Sequence, residues 1–153
     1  MRSAIGNALL MTLVVTIVSL VMLVFVNILA YSKAYRVKNR IIEVIEKYEG
    51  YNSEAQDEIN NYLHQSGYKV GRYDKCINDF SRKFDNITDE DKAKIQVSDN
   101  YKYCVLQKET SNGGSYYIVM AYVDYTFPVI DQTLTTPVSG ETKIISINYD
   151  EYH

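Results

Sequence analysis

The chain has 153 residues, 46% of them hydrophobic, and a formal net charge of −3, which fits one domain plus an appendage. The charge is divided unevenly, because residues 2–40 carry five basic side chains and no acid, whereas residues 41–153 carry all 19 acids against 11 Lys and Arg. An acidic outer region argues against nucleic acid as a partner, since phosphate binding needs clustered positive charge.

The first predicted element is an apolar helix with the length of a membrane span. No charged side chain occurs between Ser3 and Ser32, and about 20 apolar residues suffice to cross the hydrocarbon of a bilayer. A cleavable secretory signal has a shorter apolar region of roughly 7–15 residues, so the sequence favours an uncleaved anchor. The lipid bilayer is therefore the first predicted partner. Tyr31 and Tyr35 fit the aromatic belt at the end of such a span.

The helix is predicted to continue beyond the membrane, from about residue 4 to residue 48, over a length of roughly 65–70 Å. Beyond the span, apolar residues recur at alternating intervals of three and four, which is typical of one helical face. This stripe consists of Ala34, Val37, Ile41, Val44 and Tyr48. Gly50 is predicted to end the helix.

The stripe has two interpretations that the sequence leaves open. Either the helical extension lies on its own domain, or it bundles with copies of itself or with relatives. Within the span, small polar side chains on one face permit close approach of another helix, and an amide in lipid seeks a hydrogen-bond partner. These residues are Thr12, Thr16, Ser19 and Asn27. Together with the stripe they form the predicted assembly face.

Residues 1–50 are thus predicted to form the anchor and its helical extension, and residues 51–153 a small α+β domain. A short helix is predicted to begin with a capping box at Ser53 and Gln56 and to end at residues 66–67. A second short helix is predicted after Thr88, because the three acids that follow it suit a helix N-terminus.

The remaining part of the domain is predicted to form three or four antiparallel strands. The predicted strands are residues 101–108, 115–127 and 143–149, with residues 68–73 as a fourth candidate. Residues 110–114 have the composition of a hairpin turn. The strand 115–127 is apolar on both faces until Asp124, as in a central strand, and Pro128 is predicted to end it before a loop. The predicted fold class is α+β, a long transmembrane helix joined to a small domain with short helices and a three- to four-stranded antiparallel sheet.

The late part of the sequence reads YYIVMAYVDYTFPVI, then a loop, then TKIISINYDEY. Together with the order of elements, this pattern resembles the TadE/TadF-like minor pilins of the tight-adherence branch of type IV pilus systems. Val123, Tyr125, Phe127 and Pro128 match an aromatic-rich strand with a Pro near its end, and residues 144–147 match a final apolar strand. The resemblance implies a pilin-like fold and a non-enzymatic subunit of a pilus or tight-adherence apparatus. It also implies other pilin-like subunits or pilus-assembly membrane proteins as partners.

The resemblance places a processing site near the N-terminus. Such pilins carry a Gly that a prepilin peptidase processes, and a Glu five residues later. Gly6 and Asn7 would flank the cut in this chain, but the position five residues after Gly6 is Met11, and the first acid is Glu43. Both a processed pilin and an unprocessed pilin-like membrane protein therefore stay open.

The compartment of the domain rests on two signals that conflict. Arg2 and the amino terminus precede the span and four basic residues between 33 and 40 follow it, which favours a cytoplasmic domain under the positive-inside rule. Cys76 and Cys104 permit a disulfide in a small extracytoplasmic domain, with two buried free thiols as the alternative. The resemblance also implies an outside location. We predict a single-pass membrane protein with an extracytoplasmic C-terminal domain.

The sequence contains no recognisable catalytic motif. His64 and His153 have no partners at zinc-binding spacing, and no phosphate-binding loop or nucleophile elbow occurs. The strand tyrosines fit half-buried sheet packing, with a sticky contact surface as the alternative. We therefore expect no enzymatic activity, no cofactor and no metal. A membrane-tethered binding or sensor domain outside any filament is the alternative function.

Overall fold

The computed structural model describes residues 2–68, 70–111, 113–127 and 132–145. Within these residues the helices are α1 (Arg2–Lys47), α2 (Ser53–Gln65), α3 (Cys76–Lys83) and α4 (Asp89–Ala93). The strands are β1 (Ile95–Val97), β2 (Tyr103–Glu109), β3 (Ser115–Phe127) and β4 (Gln132–Glu141). They form one antiparallel sheet in the order β1-β2-β3-β4. The predicted α+β class, with a long apolar helix beside a four-stranded antiparallel sheet, is confirmed.

The helix α1 runs without interruption for 46 residues, or about 69 Å at 1.5 Å per residue. It contains no Pro, and no Gly lies between Gly6 and Gly50. Its end differs from the prediction, because Glu49 rather than Gly50 adopts the left-handed conformation, with a φ of 51°. The Gly50 N–H then donates to the Ile45 carbonyl oxygen, five residues earlier, at 3.0 Å. This hydrogen bond is characteristic of a Schellman motif.

The C-terminal half of α1 packs on the protein's own sheet. Ala34, Val37, Ile41 and Val44 are at most 1% exposed, α1 contacts β3 and β4, and Tyr48 packs against the same core. The interpretation that the extension lies on its own domain therefore holds for the stripe. Four residues of the predicted assembly face, Ala34, Val37, Ile41 and Val44, are thus covered by the chain's own domain, and Tyr48 is half-buried against it.

The N-cap of α2 lies one residue earlier than predicted. Asn52 is the N-cap, and its Oδ1 accepts a hydrogen bond from the Ala55 N–H at 2.9 Å. Ser53 is the first helical residue instead of the cap, since Asn is among the strongest N-cap residues. The apolar face of α2 inserts Ala55, Ile59 and Leu63 into the core that α1 shares.

Glu58 connects α2 to α1 through both of its carboxylate oxygens. Oε1 accepts from Arg40 Nη2 at 3.1 Å, and Oε2 accepts from Lys47 Nζ at 2.6 Å. The hydrogen bond from Lys47, followed by that of Tyr48, lowers the pKa of the Glu58 carboxyl. Because Lys47 is largely solvated, apolar packing contributes more than this ion pair to holding the two helices together.

The predicted cap at Thr88 is confirmed at the start of α4. Thr88 Oγ1 accepts from the Asp91 N–H at 3.2 Å, and Asp91 Oδ2 accepts from the Thr88 N–H at 2.9 Å. This reciprocal capping box lowers the pKa of Asp91, first through the Thr88 backbone bond. The acidic run is thus a helix start.

The strand predictions are partly confirmed. The strand β3 covers the predicted residues 115–127 and lies between β2 and β4. The predicted strand 101–108 is β2, which begins at Tyr103, and the candidate strand 68–73 contributes only an isolated bridge between Val70 and Tyr101. The short strand β1 was not predicted.

The last strand lies earlier in the chain than predicted. The strand β4, residues 132–141, occupies a stretch that the sequence assigned to a loop. Of the predicted strand 143–149, Ile145 forms an isolated bridge with Ser115, and residues 146–149 lie outside the described residues. The position of Pro128, predicted to end β3, also lies outside them.

Pro137 lies in the middle of β4 and is compatible with an edge strand. It pairs in register with Tyr122, whose N–H donates to the Lys102 carbonyl oxygen on the β2 side at 3.1 Å. In an antiparallel ladder, the residue opposite such a position directs its own backbone groups away from the pair. The N–H that Pro137 lacks would therefore face the open edge, where a proline is tolerated.

Candidate functional site

The N-terminal half of α1 protrudes from the domain as an uncovered apolar rod. All side chains described between Gly6 and Lys33 are exposed, including Leu10 at 63% and Val15 at 61%. Among the described residues, α1 is the one helix long and apolar enough to cross a membrane by length and composition. Because soluble proteins rarely expose so large an apolar patch, the helix fits the predicted single-pass anchor.

The polar side chains of the rod are satisfied within their own helix. Each donates a hydrogen bond of 2.8–2.9 Å to the carbonyl oxygen four residues earlier. The donors are Thr12, Thr16, Ser19 and Asn27. The three hydroxyl donors therefore need no neighbouring helix in lipid. The Asn27 amide uses one of its two N–H groups in this bond and retains further bonding capacity.

The polar residues of the rod share the helical phase of the buried stripe. From Thr12 through Thr16, Ser19, Asn27 and Ala34, the intervals are four, three, eight and seven residues. At 100° per residue, these five side chains lie within a sector of about 80° around the helix. One continuous stripe thus runs along α1, and the sheet covers only its upper part. The uncovered part of the predicted assembly face is Thr12, Thr16, Ser19 and Asn27.

Basic and aromatic side chains surround α1 at the level where the rod leaves the domain. Lys33 Nζ donates to the Gly67 carbonyl oxygen at 2.9 Å, and Arg36 is exposed beside it. The exposed rings of Tyr31 and Tyr35 lie 6.2 Å apart between their centroids. Aromatic and basic side chains at this level suit the headgroup region of a bilayer.

A disulfide joins Cys76, the first residue of α3, to Cys104 in β2. The Cα atoms are 6.5 Å apart, and both side chains are fully buried. Cys104 and Phe80 belong to an apolar cluster on the sheet face opposite α1, so the bond holds α3 on that face. The sequence separation of 28 corresponds to a stabilisation of about 3.6 kcal/mol in the loop-entropy model. The predicted disulfide is confirmed over the free-thiol alternative.

Three tyrosines of β2 and β3 are packing residues. Tyr103, Tyr117 and Tyr122 are at most 7% exposed, which supports sheet packing over a sticky surface at these positions. The side chain of Tyr125 lies outside the described residues. Tyr68 follows α2 in the chain and connects this segment to the sheet, since its hydroxyl donates to the Tyr122 carbonyl oxygen at 2.6 Å. Burial raises the pKa of both Tyr68 and Tyr122.

Groups suited to metal binding are not clustered in the described part of the chain. No set of three His, Cys, Asp or Glu side chains there could hold a metal ion. His64 is exposed on α2, and His153 lies outside the described residues. The predicted processing site lies within α1, because both Gly6 and Asn7 are helical.

Comparison with known proteins identified no relative of this chain. No family model matches the chain, and no curated protein or solved structure shows significant similarity to it.

Proposed function

We propose that this protein is a non-enzymatic, pilin-like subunit that is anchored in the cell membrane and assembles with other subunits through the protruding half of α1. The observation that carries the proposal is the continuity of α1, which is an exposed apolar rod at one end and a core element of the sheet domain at the other. Such a helix leaves no flexible linker between bilayer and domain. An ordered assembly needs that rigidity, whereas a tethered domain functions on a flexible linker.

The disulfide supports an extracytoplasmic location for the domain. Disulfides persist in oxidising compartments and are rare in the cytosol, and the bond between Cys76 and Cys104 is buried in the core. The basic residues between 33 and 40 oppose this orientation. The opposition is limited, because long domains translocate largely regardless of flanking charge.

The proposed contact surface is the uncovered part of the stripe on the rod. Small side chains such as Thr16 and Ser19 allow another helix to approach closely. Asn27 adds a hydrogen-bonding group, and such interhelical bonds contribute about 0.6 kcal/mol on average in membranes. Each contact is weak, so the proposed association depends on packing along the whole rod.

Cysteine cross-linking tests this surface directly. Thr16→Cys and Asn27→Cys lie on the proposed face, and Val18→Cys and Phe25→Cys are matched controls two residues away, about 200° around the helix. Each variant would be oxidised mildly in membranes of the cells that naturally make the protein and run on a non-reducing gel. We expect disulfide-linked dimers from each variant of the first pair and monomers from each variant of the second. The native cysteines do not interfere, because they are buried and paired.

Two outcomes would refute the proposal. Monomers from all four variants would show that the rod is covered by lipid alone. Equal cross-linking from both pairs would show random collision rather than a defined face. Either result would favour the second candidate function, a membrane-tethered binding domain, which a polar cleft beside α2 supports.

The intact mass of protein purified from the same membranes tests processing separately. A chain that begins at Asn7 would support cleavage by a prepilin peptidase despite Met11. A chain that retains Met1 would identify an unprocessed pilin-like protein. The cross-linking result decides assembly in either case.

A further inference from the structure

A polar cleft of about 280 Å³ lies between α2 and the connection from β1 to β2. Its lining includes the side chains of Tyr51, Gln56, Asn60, Gln96, Asp99 and Tyr103. The cleft exists because β1 is only three residues long and carries an amide where the sheet faces the helices. Gln96 pairs with Val105, a core residue on the α1 side of the sheet, and directly paired residues share a face.

The amides around the cleft converge from two elements. Gln56 and Asn60 are one turn apart on α2, which places them on the same helical face, and Gln96 lies across from them on β1. Asn60 Oδ1 is buried and has no hydrogen-bond partner among the described residues. A buried acceptor without a donor costs about 1–3 kcal/mol. A small rotation of the Asn60 amide toward the cleft would let a bound donor supply the missing hydrogen bond.

Two tyrosines close one end of the cleft. The hydroxyl oxygens of Tyr51 and Tyr103 lie 2.9 Å apart, and the rings meet edge to face with centroids 6.4 Å apart. Tyr103 is almost fully buried, whereas Tyr51 is half-buried. This wall is therefore rigid and offers both an aromatic surface and a phenolic hydroxyl.

The lining excludes most classes of ligand. Among the described residues that line the cleft, Asp99 is the one charged group, and its carboxylate is already paired with Arg72 Nη1 at 2.6 Å. The lining therefore supplies neither basic side chains for an anion nor the several carboxylates that a divalent cation prefers. Its predominance of amides and hydroxyls also disfavours an apolar ligand. The remaining class is a neutral molecule with many hydroxyl groups.

We propose that this cleft binds a neutral saccharide, one ring of which enters between α2 and Gln96. The amides of Gln56, Asn60 and Gln96 would donate to and accept from the sugar hydroxyls, and one hydroxyl would donate to Asn60 Oδ1. The cleft is smaller than the roughly 300–1,000 Å³ of drug-sized sites, which suits a single ring. This inference does not depend on the assembly proposed above.

Saturation-transfer NMR on the full chain tests the proposal. The protein would be held in nanodiscs, because maltoside and glucoside detergents would compete for the cleft. The probes are glucose, galactose, mannose and N-acetylglucosamine at about 20 mM, enough to populate sites with a Kd of about 1–10 mM. We expect transfer to at least one sugar, and an affinity about tenfold lower in Asn60→Ala and in Gln96→Ala, the loss of roughly one buried hydrogen bond.

Matched controls keep the result interpretable. Asn39→Ala removes an exposed amide from a helix, Gln107→Ala removes a half-buried amide from a strand, and neither residue lines the cleft. Near-UV circular dichroism would show that each variant is folded, and Gln96 is exposed enough that its replacement spares the core. No transfer to any of the four sugars, or equal transfer in all variants, would overturn the proposal. Cross-linking of the rod would be unaffected by that failure, so the two proposals fail separately.

Discussion

Replacing Ile41 by Ala is predicted to destabilise the domain by about 3.5 kcal/mol. Ile41 is fully buried between α1 and the sheet. Removing three carbon groups forfeits about 2.4 kcal/mol of transfer free energy, at about 0.8 kcal/mol each. A residual cavity of roughly 40 Å³ adds about 1 kcal/mol. The sum is a large share of the about 5–15 kcal/mol by which domains are stable.

The matched control is Ile28→Ala, the same chemical change on the protruding half of the same helix. Ile28 is 57% exposed, so this variant should leave the domain within about 0.5 kcal/mol of the wild type. Urea unfolding of the full chain in micelles would be followed by near-UV circular dichroism, which reports on the 15 tyrosines. With a slope of about 1.5 kcal/mol per molar urea, Ile41→Ala should lower the midpoint by about 2 M.

Equal midpoints for Ile41→Ala and Ile28→Ala would refute the reasoning. That result would mean that the C-terminal half of α1 is not a core element. The stripe would then be free for contacts with other subunits, as the interpretation of α1 as a bundling helix predicts.

Three further predictions use the same urea assay. Replacing Cys76 and Cys104 together by Ala should lower the free energy of unfolding by about 3–4 kcal/mol. Burial raises the pKa of Tyr68 and Tyr122 above the ordinary value of 10.0. These phenols stay neutral in the folded protein but ionise in the unfolded chain, so stability is retained below pH 10 and falls as the pH rises above it. A constant midpoint up to about pH 11.5 would contradict this, since unfolded tyrosines ionise near pH 10. Hydrogen bonding lowers the pKa of Glu58 below 4.5. Its stabilisation is therefore present above pH 4.5 and lost as the pH falls through the lower folded pKa, and Glu58→Gln should remove this part of the acid dependence.

The elements predicted correctly are those whose apolar side chains form a clear pattern along the sequence. The strand β3 is apolar on both faces because helices α1 and α2 cover one face and α3 the other, so its composition predicts a central strand. The stripe on α1 was equally clear as a periodicity. The sequence did not show which surface covers the stripe, because Val37 and Ile41 would have the same spacing whether they packed against a sheet or against another subunit.

The missed elements are short or lie at edges. The strand β4 contains Pro137 and Gly140, which disfavour strand prediction. The strand tolerates the proline because the backbone nitrogen of Pro137 faces the open edge of the sheet, where no partner needs an N–H. The helix α3 has eight residues and no side-chain cap at Lys75, too short for periodicity to show. The disulfide from Cys76 holds it in place, and the pairing partner is visible only in three dimensions.

The polar cleft was not predicted for a different reason. Its residues come from α2, β1 and the segments beside them, and each one alone looks like an ordinary surface amide. No spacing rule connects Asn60 to Gln96. The sequence signal, visible only in retrospect, is an amide at the one position of β1 where the alternation requires an apolar side chain.

The shared phase of the stripe along α1 has a steric consequence for neighbouring chains. A second helix seated against Thr16 and Asn27 lies directly beneath the sheet of the first chain, because Ala34 and Ile41 point to that sheet from the same side. Two copies inserted at equal depth with parallel axes would press their domains together above the bilayer. Helices that cross at an angle diverge above their contact and avoid that collision, and crossing angles of about 20–40° are common in membranes. Under the proposed assembly, paired copies would therefore cross rather than run parallel.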